Sequence, residues 1–158
     1  MMTFQFQTHD SIRTPYVRFV KKARLRKQVA QAHAAVGSSG SVLDIGCATG
    51  RFYRYFRKIL PSTEYQGFDI SEGAVNYAKQ QYPQGEFNVF DGDISKVQQA
   101  APDLIFSRDV VQHQPNPTEY LAKLYDSVGK YLILRVRTRE TGATVFDVDL
   151  SCQFGKDS

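Results

Sequence analysis

One stretch limits the possible folds of this chain more than any other, the nine residues VLDIGCATG at 42–50. The short apolar run SVLDI predicts a strand buried on both faces of a parallel sheet, and the glycines after it predict a tight turn. In the next segment, RFYRYFRKIL, apolar residues recur every three or four positions until Pro61, which predicts a helix. Strand, glycine turn and helix together form one β-turn-α unit.

The same kind of unit recurs along the rest of the chain. Further strands are predicted at YQGFDI, FNVF, DLIFS and YLILRVR, with helices at EGAVNYAKQQY and from about Thr118. Alternating strands and helices imply right-handed crossovers and therefore an α/β fold with a doubly wound, mostly parallel sheet. The ligand crevice of such a sheet lies beyond the carboxyl ends of its strands, where the strand order reverses.

The length of 158 residues suits one compact domain. We divide it into a basic helical N-terminal segment, residues 1–40, and an α/β domain, residues 41–158. Residues 1–60 hold 11 Lys and Arg against 2 acidic residues, so this part carries a charge of +9 and the remainder −5. A helix is predicted from about Pro15 to Ala35, and its cations either form an ordinary solvated face or bind phosphate groups.

Composition excludes several classes of protein. No apolar run approaches the roughly 20 residues that a membrane-spanning helix needs, so no membrane span is expected. The first residues lack the charged start, apolar block and cleavage site of a secretory signal, and the chain has only 2 cysteines. We therefore expect a reduced, cytoplasmic protein. His9 and His33 have no acidic or cysteine partners at ligand spacing, so no metal site is expected.

The glycine turn and the acidic residue after the next strand predict an adenosine-type ligand. Gly46 and Gly50 would let a ligand approach main-chain N–H groups, and the following helix N-terminus favours a carboxylate or phosphate. Asp69 ends the second strand, 19 residues beyond Gly50, where its carboxylate would accept hydrogen bonds from both ribose hydroxyls. A nicotinamide dinucleotide matches less well, because Ala48 stands where that fingerprint has its middle glycine.

The string VLDIGCATG resembles the first motif of class I S-adenosylmethionine-dependent methyltransferases, an acidic-x-Gly-x-Gly-x-Gly pattern in which alanine often replaces the central glycine. The resemblance extends from about Val42 to Arg137, with several elements in the family's order. It implies a Rossmann-like methyltransferase fold, S-adenosyl-L-methionine as the cofactor, and an enzyme that transfers a methyl group.

The resemblance also implies a cofactor site with four parts along the chain. They are Asp44 with the backbone of Gly46, Cys47, Ala48 and Gly50 for the methionyl part; Asp69 and Ile70 for the ribose and the adenine edge; Asp93 and Ile94 for adenine; and Ser107 and Arg108 beside the transferable methyl group. Asp91 competes with Asp93 for the adenine contact, and both assignments stay open. The Cys47 side chain is expected to fill space, because no nearby His or second Cys would activate it as a nucleophile.

Methyl transfer from a sulfonium needs few protein groups, because the cofactor already carries its leaving group. For an oxygen or nitrogen acceptor a general base helps. His113 is the candidate, since it follows the fourth strand on the expected rim and histidine titrates near neutral pH. Asp109 on the same rim is the second candidate, and a loop or capping role is the alternative for His113.

The acceptor is less constrained than the cofactor. We expect a small molecule, such as a metabolite, sugar or lipid intermediate; the alternatives are a nucleic acid held by the basic helix and a module that binds the cofactor without catalysis. The family's sheet has seven strands, whereas five are predicted here with a further one at TVFDVDL, so the last strands are expected to be missing. A piece of a longer protein and a minimal variant that borrows surface from another subunit in a homo-oligomer both stay open.

Overall fold

The computed structural model describes residues 16–19, 30, 34, 36, 37, 40–97 and 101–136. Parallel strands form one sheet in the order β1-β6-β5-β2-β3-β4, and this order reverses between β2 and β5. The predicted doubly wound α/β fold is therefore confirmed. The strands are β1 (Tyr16–Phe19), β2 (Ser41–Ile45), β3 (Glu64–Asp69), β4 (Glu86–Val89), β5 (Leu104–Arg108) and β6 (Tyr131–Arg135).

Helices in the described part connect these strands: α1 (Arg51–Ile59), α2 (Glu72–Gln81) and α3 (Pro117–Ser127), with short 3-10 helices at Ile94–Lys96 and Val111–His113. Their starts follow ordinary capping chemistry. The Ser71 hydroxyl accepts the Ala74 N–H at 3.3 Å before α2, and the Asn116 side chain accepts the Glu119 N–H at 3.2 Å before α3. None of the described helices is long and apolar enough to cross a bilayer.

The predicted N-terminal helix is wrong at its start, because Tyr16–Phe19 form β1. This strand pairs in parallel with β6, from Tyr16 opposite Tyr131 to Phe19 opposite Leu134. Aromatic and β-branched residues suit a strand, and the pairing satisfies the backbone groups along the outer edge of β6. Ala30, Ala34 and Val36 are helical, in agreement with the later part of the prediction. The boundary at residue 40 stays a prediction, and the predicted strand TVFDVDL lies outside the described residues.

The core consists of two apolar layers, one on each face of the sheet. Successive strand residues alternate between the layers, as in β5, where Phe106 packs on the side of α1 and α2 and Ile105 packs on the side of α3. Burial on both faces explains why the strands are nearly continuous apolar runs in the sequence.

Asp103 ties the opposite, amino-terminal edge of the sheet together. Its Oδ2 accepts the Ser41 N–H at 3.0 Å, its own N–H donates to Ser41 Oγ at 3.0 Å, and its Oδ1 lies 2.6 Å from Lys130 Nζ. The contact with Lys130 is the main cause that lowers the pKa of Asp103. Asp103 thus connects β2 to β5 at the end of the sheet opposite the glycine turn.

Asp44 is a carboxyl group buried inside the sheet, with 1% of its surface exposed. Its Oδ2 accepts a hydrogen bond of 2.5 Å from the Tyr65 hydroxyl on β3. Burial raises the pKa of Asp44 to about 7, although the hydrogen bond from Tyr65 acts in the opposite direction. Asp44 therefore changes its charge near neutral pH in the folded protein.

This burial makes folding stability depend on pH through Asp44. The folded protein binds its proton more tightly than the unfolded chain, so the stabilisation is complete below about pH 4 and is lost as the pH rises through about 7. Between about pH 5 and about pH 8, the contribution of Asp44 to the free energy of unfolding should fall by about 2 to 3 kcal/mol. Urea unfolding across this range should show a smaller decrease in Asp44→Asn, whose amide oxygen still accepts from Tyr65. Asp126→Asn, at an exposed position on α3, is the matched control, and parallel curves for the wild type and Asp44→Asn would contradict the account.

Candidate functional site

Loops after four strands meet at the carboxyl edge of the sheet. The turn after β2 is joined to the end of β3 by a 2.8 Å hydrogen bond from the Ala48 N–H to Asp69 Oδ2. The loop after β4 is joined to the same strand by a 3.2 Å bond from the Phe90 N–H to the Asp69 carbonyl. The loop after β5 packs against Gly46 through Val110. The motifs predicted from the sequence are therefore brought together at one edge.

The glycine turn is shaped by packing and by backbone angles. Gly46 has φ 79°, and a Cβ there would lie 2.2 Å from Val110 Cγ2, so no larger residue fits. Gly50 has φ 74°, and a Cβ there would lie 3.0 Å from the Phe87 ring. The N–H groups of Gly46 and Cys47 donate to the Phe68 carbonyl at 2.8 and 3.1 Å, and that of Gly50 donates to the Cys47 carbonyl at 3.0 Å. These N–H groups build the turn itself, which corrects the expectation that the glycines expose them to a ligand.

The middle of the turn carries backbone strain. Ala48 has φ 47°, which is a left-handed conformation. This conformation typically costs a non-glycine residue about 1 to 3 kcal/mol. Its hydrogen bond to Asp69 supports this conformation, and its side chain is exposed. Cys47 beside it is buried against Gly67, and burial raises the pKa of its thiol well above the usual range. Cys47 therefore fills space, as predicted, and offers a ligand only its backbone.

Each carboxylate oxygen of Asp69 accepts one hydrogen bond from a neighbouring loop. Oδ2 accepts the Ala48 N–H at 2.8 Å, and Oδ1 accepts the Ser71 N–H at 2.9 Å. A carboxylate has about four lone-pair positions, so two remain for further donors. Asp69 is partly exposed at the end of β3, and two neighbouring hydroxyl groups, such as those of a ribose, match this geometry.

Two apolar side chains next to Asp69 are exposed to solvent. Ile70 is 48% exposed and Val89, at the end of β4, is also 48% exposed. A Cβ on Gly92 would lie 3.9 Å from Ile70 Cγ2, so the loops after β3 and β4 approach each other here. An aromatic base gains affinity by covering such apolar groups. Ribose and adenine chemistry therefore both fit this end of the edge.

The loop after β4 uses both of its aspartates to fix its own backbone. Asp91 Oδ1 accepts the Asp93 N–H at 3.1 Å, and Asp93 Oδ1 accepts the Ser95 N–H at 3.1 Å and its hydroxyl at 2.7 Å. These bonds leave the choice between Asp91 and Asp93 for adenine open. Ile94 is 3% exposed, so its side chain belongs to the core and only its backbone faces the loop.

The end of β5 supplies the polar groups predicted to lie near the transferred methyl. Ser107 is 1% exposed, and its hydroxyl has no hydrogen-bond partner among the described residues. The Arg108 guanidinium lies over the Phe52 ring, 4.7 Å from its centroid. Asp109 has φ 58°, and its Oδ2 lies 3.0 Å from Arg135 Nη1. A role for Asp109 as a base would therefore require this ion pair to open.

His113 ends the 3-10 helix that follows β5, on the rim where the sequence places it. Its N–H donates to the Val110 carbonyl at 2.9 Å, and its Nε2 lies 3.5 Å from the Gln112 side-chain nitrogen. The Gln112 side-chain oxygen is buried and has no partner in the described part of the chain. Buried, unpaired polar atoms are uncommon in folded proteins, so this oxygen is available to accept a hydrogen bond from a ligand or from water.

Sequence reasoning missed several residues that contact the predicted site residues. Tyr65, Phe52 and Arg135 act through partners on other elements, namely Asp44, Arg108 and Asp109. Gln112 could have been found from the sequence, because it lies beside His113 in the same loop.

Two shallow cavities, of about 280 Å³ and about 250 Å³, lie elsewhere, at the start of β3 and between α1 and α2. Neither cavity is lined by Asp69 or Ser107. The site is therefore identified by the chemistry of its residues and not by an enclosed cavity.

Comparisons with known proteins give the same assignment. A family model described as a methyltransferase domain matches residues 16–146. Trans-aconitate 2-methyltransferase from Variovorax paradoxus is 24% identical over 122 residues, which cover 77% of this chain and 47% of the relative. Malonyl-[acyl-carrier protein] O-methyltransferase from Anoxybacillus flavithermus is 30% identical over 114 residues, which cover 70% of this chain and 43% of the relative. The chain thus spans less than half the length of these curated relatives.

A solved structure, the TehB-like SAM-dependent methyltransferase from Corynebacterium glutamicum, superimposes with a TM-score of 0.56 at 26% identity, over 65% of this chain and 56% of that chain. The family match covers most of the sequence, and the sheet, the glycine turn and Asp69 agree with it. The Rossmann-like fold is confirmed, and S-adenosyl-L-methionine is the family's cofactor, as predicted. The chain therefore belongs to the class I S-adenosylmethionine-dependent methyltransferases.

Proposed function

We propose that the protein transfers the methyl group of S-adenosylmethionine to a small-molecule acceptor at the carboxyl edge of the sheet. The observation that carries this proposal is Asp69, whose carboxylate holds the glycine turn and the start of α2 and keeps lone pairs for two hydroxyl groups. The names of the two curated relatives give trans-aconitate and malonyl-[acyl-carrier protein] as their substrates, which favours a metabolite over a nucleic acid.

Each group on the edge then has a defined task. Asp69 binds the ribose, the exposed Ile70 covers the adenine edge, and the backbone at 46–50 borders the methionyl part. When bound, the cofactor supplies a methyl group on a positively charged sulfur, which is a good leaving group. Ser107 and Arg108 line the place where the acceptor meets this methyl group. The protein mainly aligns the two reactants and excludes water, since alignment alone provides much of the rate enhancement.

We assign the general base to His113. When the acceptor atom is an alcohol oxygen or an amine, its proton has to leave as the new bond to carbon forms, and neutral His113 Nε2 or Nδ1 would take it. The 3-10 helix holds the backbone of His113 at the rim through the bond to Val110. Gln112 beside it would orient either the imidazole or the acceptor.

We further propose that the reaction takes place in the cytoplasm. Cys47 is a free, buried thiol. Such a thiol agrees with a reducing compartment, where cysteines are not paired in disulfides.

Replacing Asp69 with alanine should weaken cofactor affinity by about 1.5 to 3 kcal/mol, because charge-assisted hydrogen bonds to the ribose are lost. Calorimetric titration with S-adenosylmethionine and S-adenosylhomocysteine measures this change. Asp69→Asn should lie between the two proteins, since it keeps an acceptor oxygen but loses the charge. Asp126→Ala, at an exposed site on α3, is the matched control. Equal affinity in wild type and Asp69→Ala would remove Asp69 from the site.

Replacing His113 with alanine should reduce turnover about 100-fold or more while cofactor affinity stays nearly constant, because a general base acts in the transition state. Formation of S-adenosylhomocysteine with a panel of alcohol and amine acceptors provides the assay. Unchanged turnover would give His113 a structural role, and cofactor binding without transfer to any acceptor would instead identify a binding module.

A further inference from the structure

Two arginines stand side by side at the carboxyl edge of the sheet. Arg108 is the last residue of β5 and Arg135 is the last residue of β6, and the two are register partners in the parallel pairing. Side chains at paired positions of neighbouring strands project from the same face. Like charges in this arrangement repel each other and lower stability. The sheet therefore keeps an unfavourable pair of cations at the edge where its ligands bind.

The positive charges of Arg108 and Arg135 are neutralised by nearby groups to different degrees. Arg135 has an acidic partner, because its Nη1 lies 3.0 Å from Asp109 Oδ2. Arg108 lies on the Phe52 ring instead, and its Nε is buried without a hydrogen-bond partner in the described part of the chain. Burial, followed by the charge of Arg135, lowers the pKa of Arg108. The charges of Arg108, Arg135 and Asp109 sum to +1, and the charges of Asp44 and Arg51 act on Arg108 in opposite directions. A single carboxylate would balance the excess.

The location of this excess charge decides what it can bind. Arg108 directly follows Ser107, whose buried hydroxyl has no partner among the described residues. Val110, two residues further on, packs against Gly46 in the cofactor turn. A guanidinium group offers a planar fork of N–H donors that fits the two oxygens of a carboxylate. An anion bound by Arg108 would lie at the carboxyl end of β5, next to the loop that contacts the cofactor turn through Val110.

We propose that Arg108 and Arg135 form an anion subsite for the methyl acceptor, which carries a carboxylate that this pair holds while a different atom of the acceptor is methylated. The proposal rests on the proposed function for the identity of the second ligand. The carboxylate stays charged throughout, because an oxygen whose lone pairs are held by an arginine is a poor nucleophile. The methyl group forms its new bond to another oxygen or nitrogen, the carbon–sulfur bond breaks, and its electron pair neutralises the sulfur. His113 takes the acceptor's proton.

The test uses the whole chain and two small probes, malonate and its uncharged analogue malonamide. Each probe is titrated into ¹⁵N-labelled protein, with and without saturating S-adenosylhomocysteine, while the arginine Nε–H signals are followed by NMR. Malonate should shift the signals of Arg108 and Arg135, and malonamide should not. Arg108→Gln should weaken malonate binding at least tenfold, Arg108→Lys should restore part of it, and Arg54→Gln should leave it unchanged. Arg54 is an exposed arginine on α1, so its variant has the same change in charge.

Equal malonate affinity in wild type and Arg108→Gln would overturn the proposal, as would equal binding of malonamide. A third result would reassign the pair to the cofactor's own carboxylate: Arg108→Gln would then weaken S-adenosylhomocysteine but not 5′-methylthioadenosine, which lacks the amino-acid part. Failure of the proposed function has a different signature, because the wild type would then bind neither nucleoside while malonate binding still depended on Arg108. Thermal unfolding identifies any variant that does not fold, and Arg108→Lys then provides the comparison.

Discussion

The carboxylate of Asp69 connects the loops after β2 and β3 at the carboxyl edge of the sheet. It accepts one backbone N–H from the glycine turn and one from the start of α2, at 2.8 and 2.9 Å. The first bond supports the left-handed conformation of Ala48, and the second is donated by Ser71, the N-cap of α2. Because the same group is proposed to bind the ribose, cofactor binding and the shape of the edge are coupled through one side chain. One residue with both a structural role and a proposed binding role explains why an acidic residue at this spacing is informative in a sequence.

Much of the architecture could be predicted from the sequence, because burial on both faces leaves a pattern that neighbouring residues reveal. The five predicted strands correspond to β2 through β6, and α1 and α2 end just before the prolines that mark them. The glycine turn and Asp69 could be predicted because their spacing is set by the length of one β-turn-α unit. The strand β1 (Tyr16–Phe19) could not be predicted, because four residues are too few to show the alternation of a strand and their cationic neighbours favour a helix.

The remaining parts of the site depend on register, which a single sequence does not encode locally. Arg135 faces Arg108 because β6 pairs with β5 at one particular offset, and Tyr65 reaches Asp44 because β3 pairs with β2 at another. The role of Gly46 changed for a similar reason. The sequence suggested close approach of a ligand, whereas the side chain that approaches most closely is Val110 from the loop after β5. Contacts of this kind appear only when distant segments are placed together.

The pairing of β1 with β6 has a consequence for the order in which the chain is assembled during translation. Tyr16 lies opposite Tyr131, so roughly 115 residues separate the two partners along the chain. At about 5 to 20 residues per second, β1 waits many seconds for its partner to be synthesised. The central strands β2 and β3 can pair long before then, which makes the outermost strand the last to join the sheet. Residues 1–40 carry 7 Lys and Arg, and like charges near an unpaired strand oppose its pairing with the same strand of another chain.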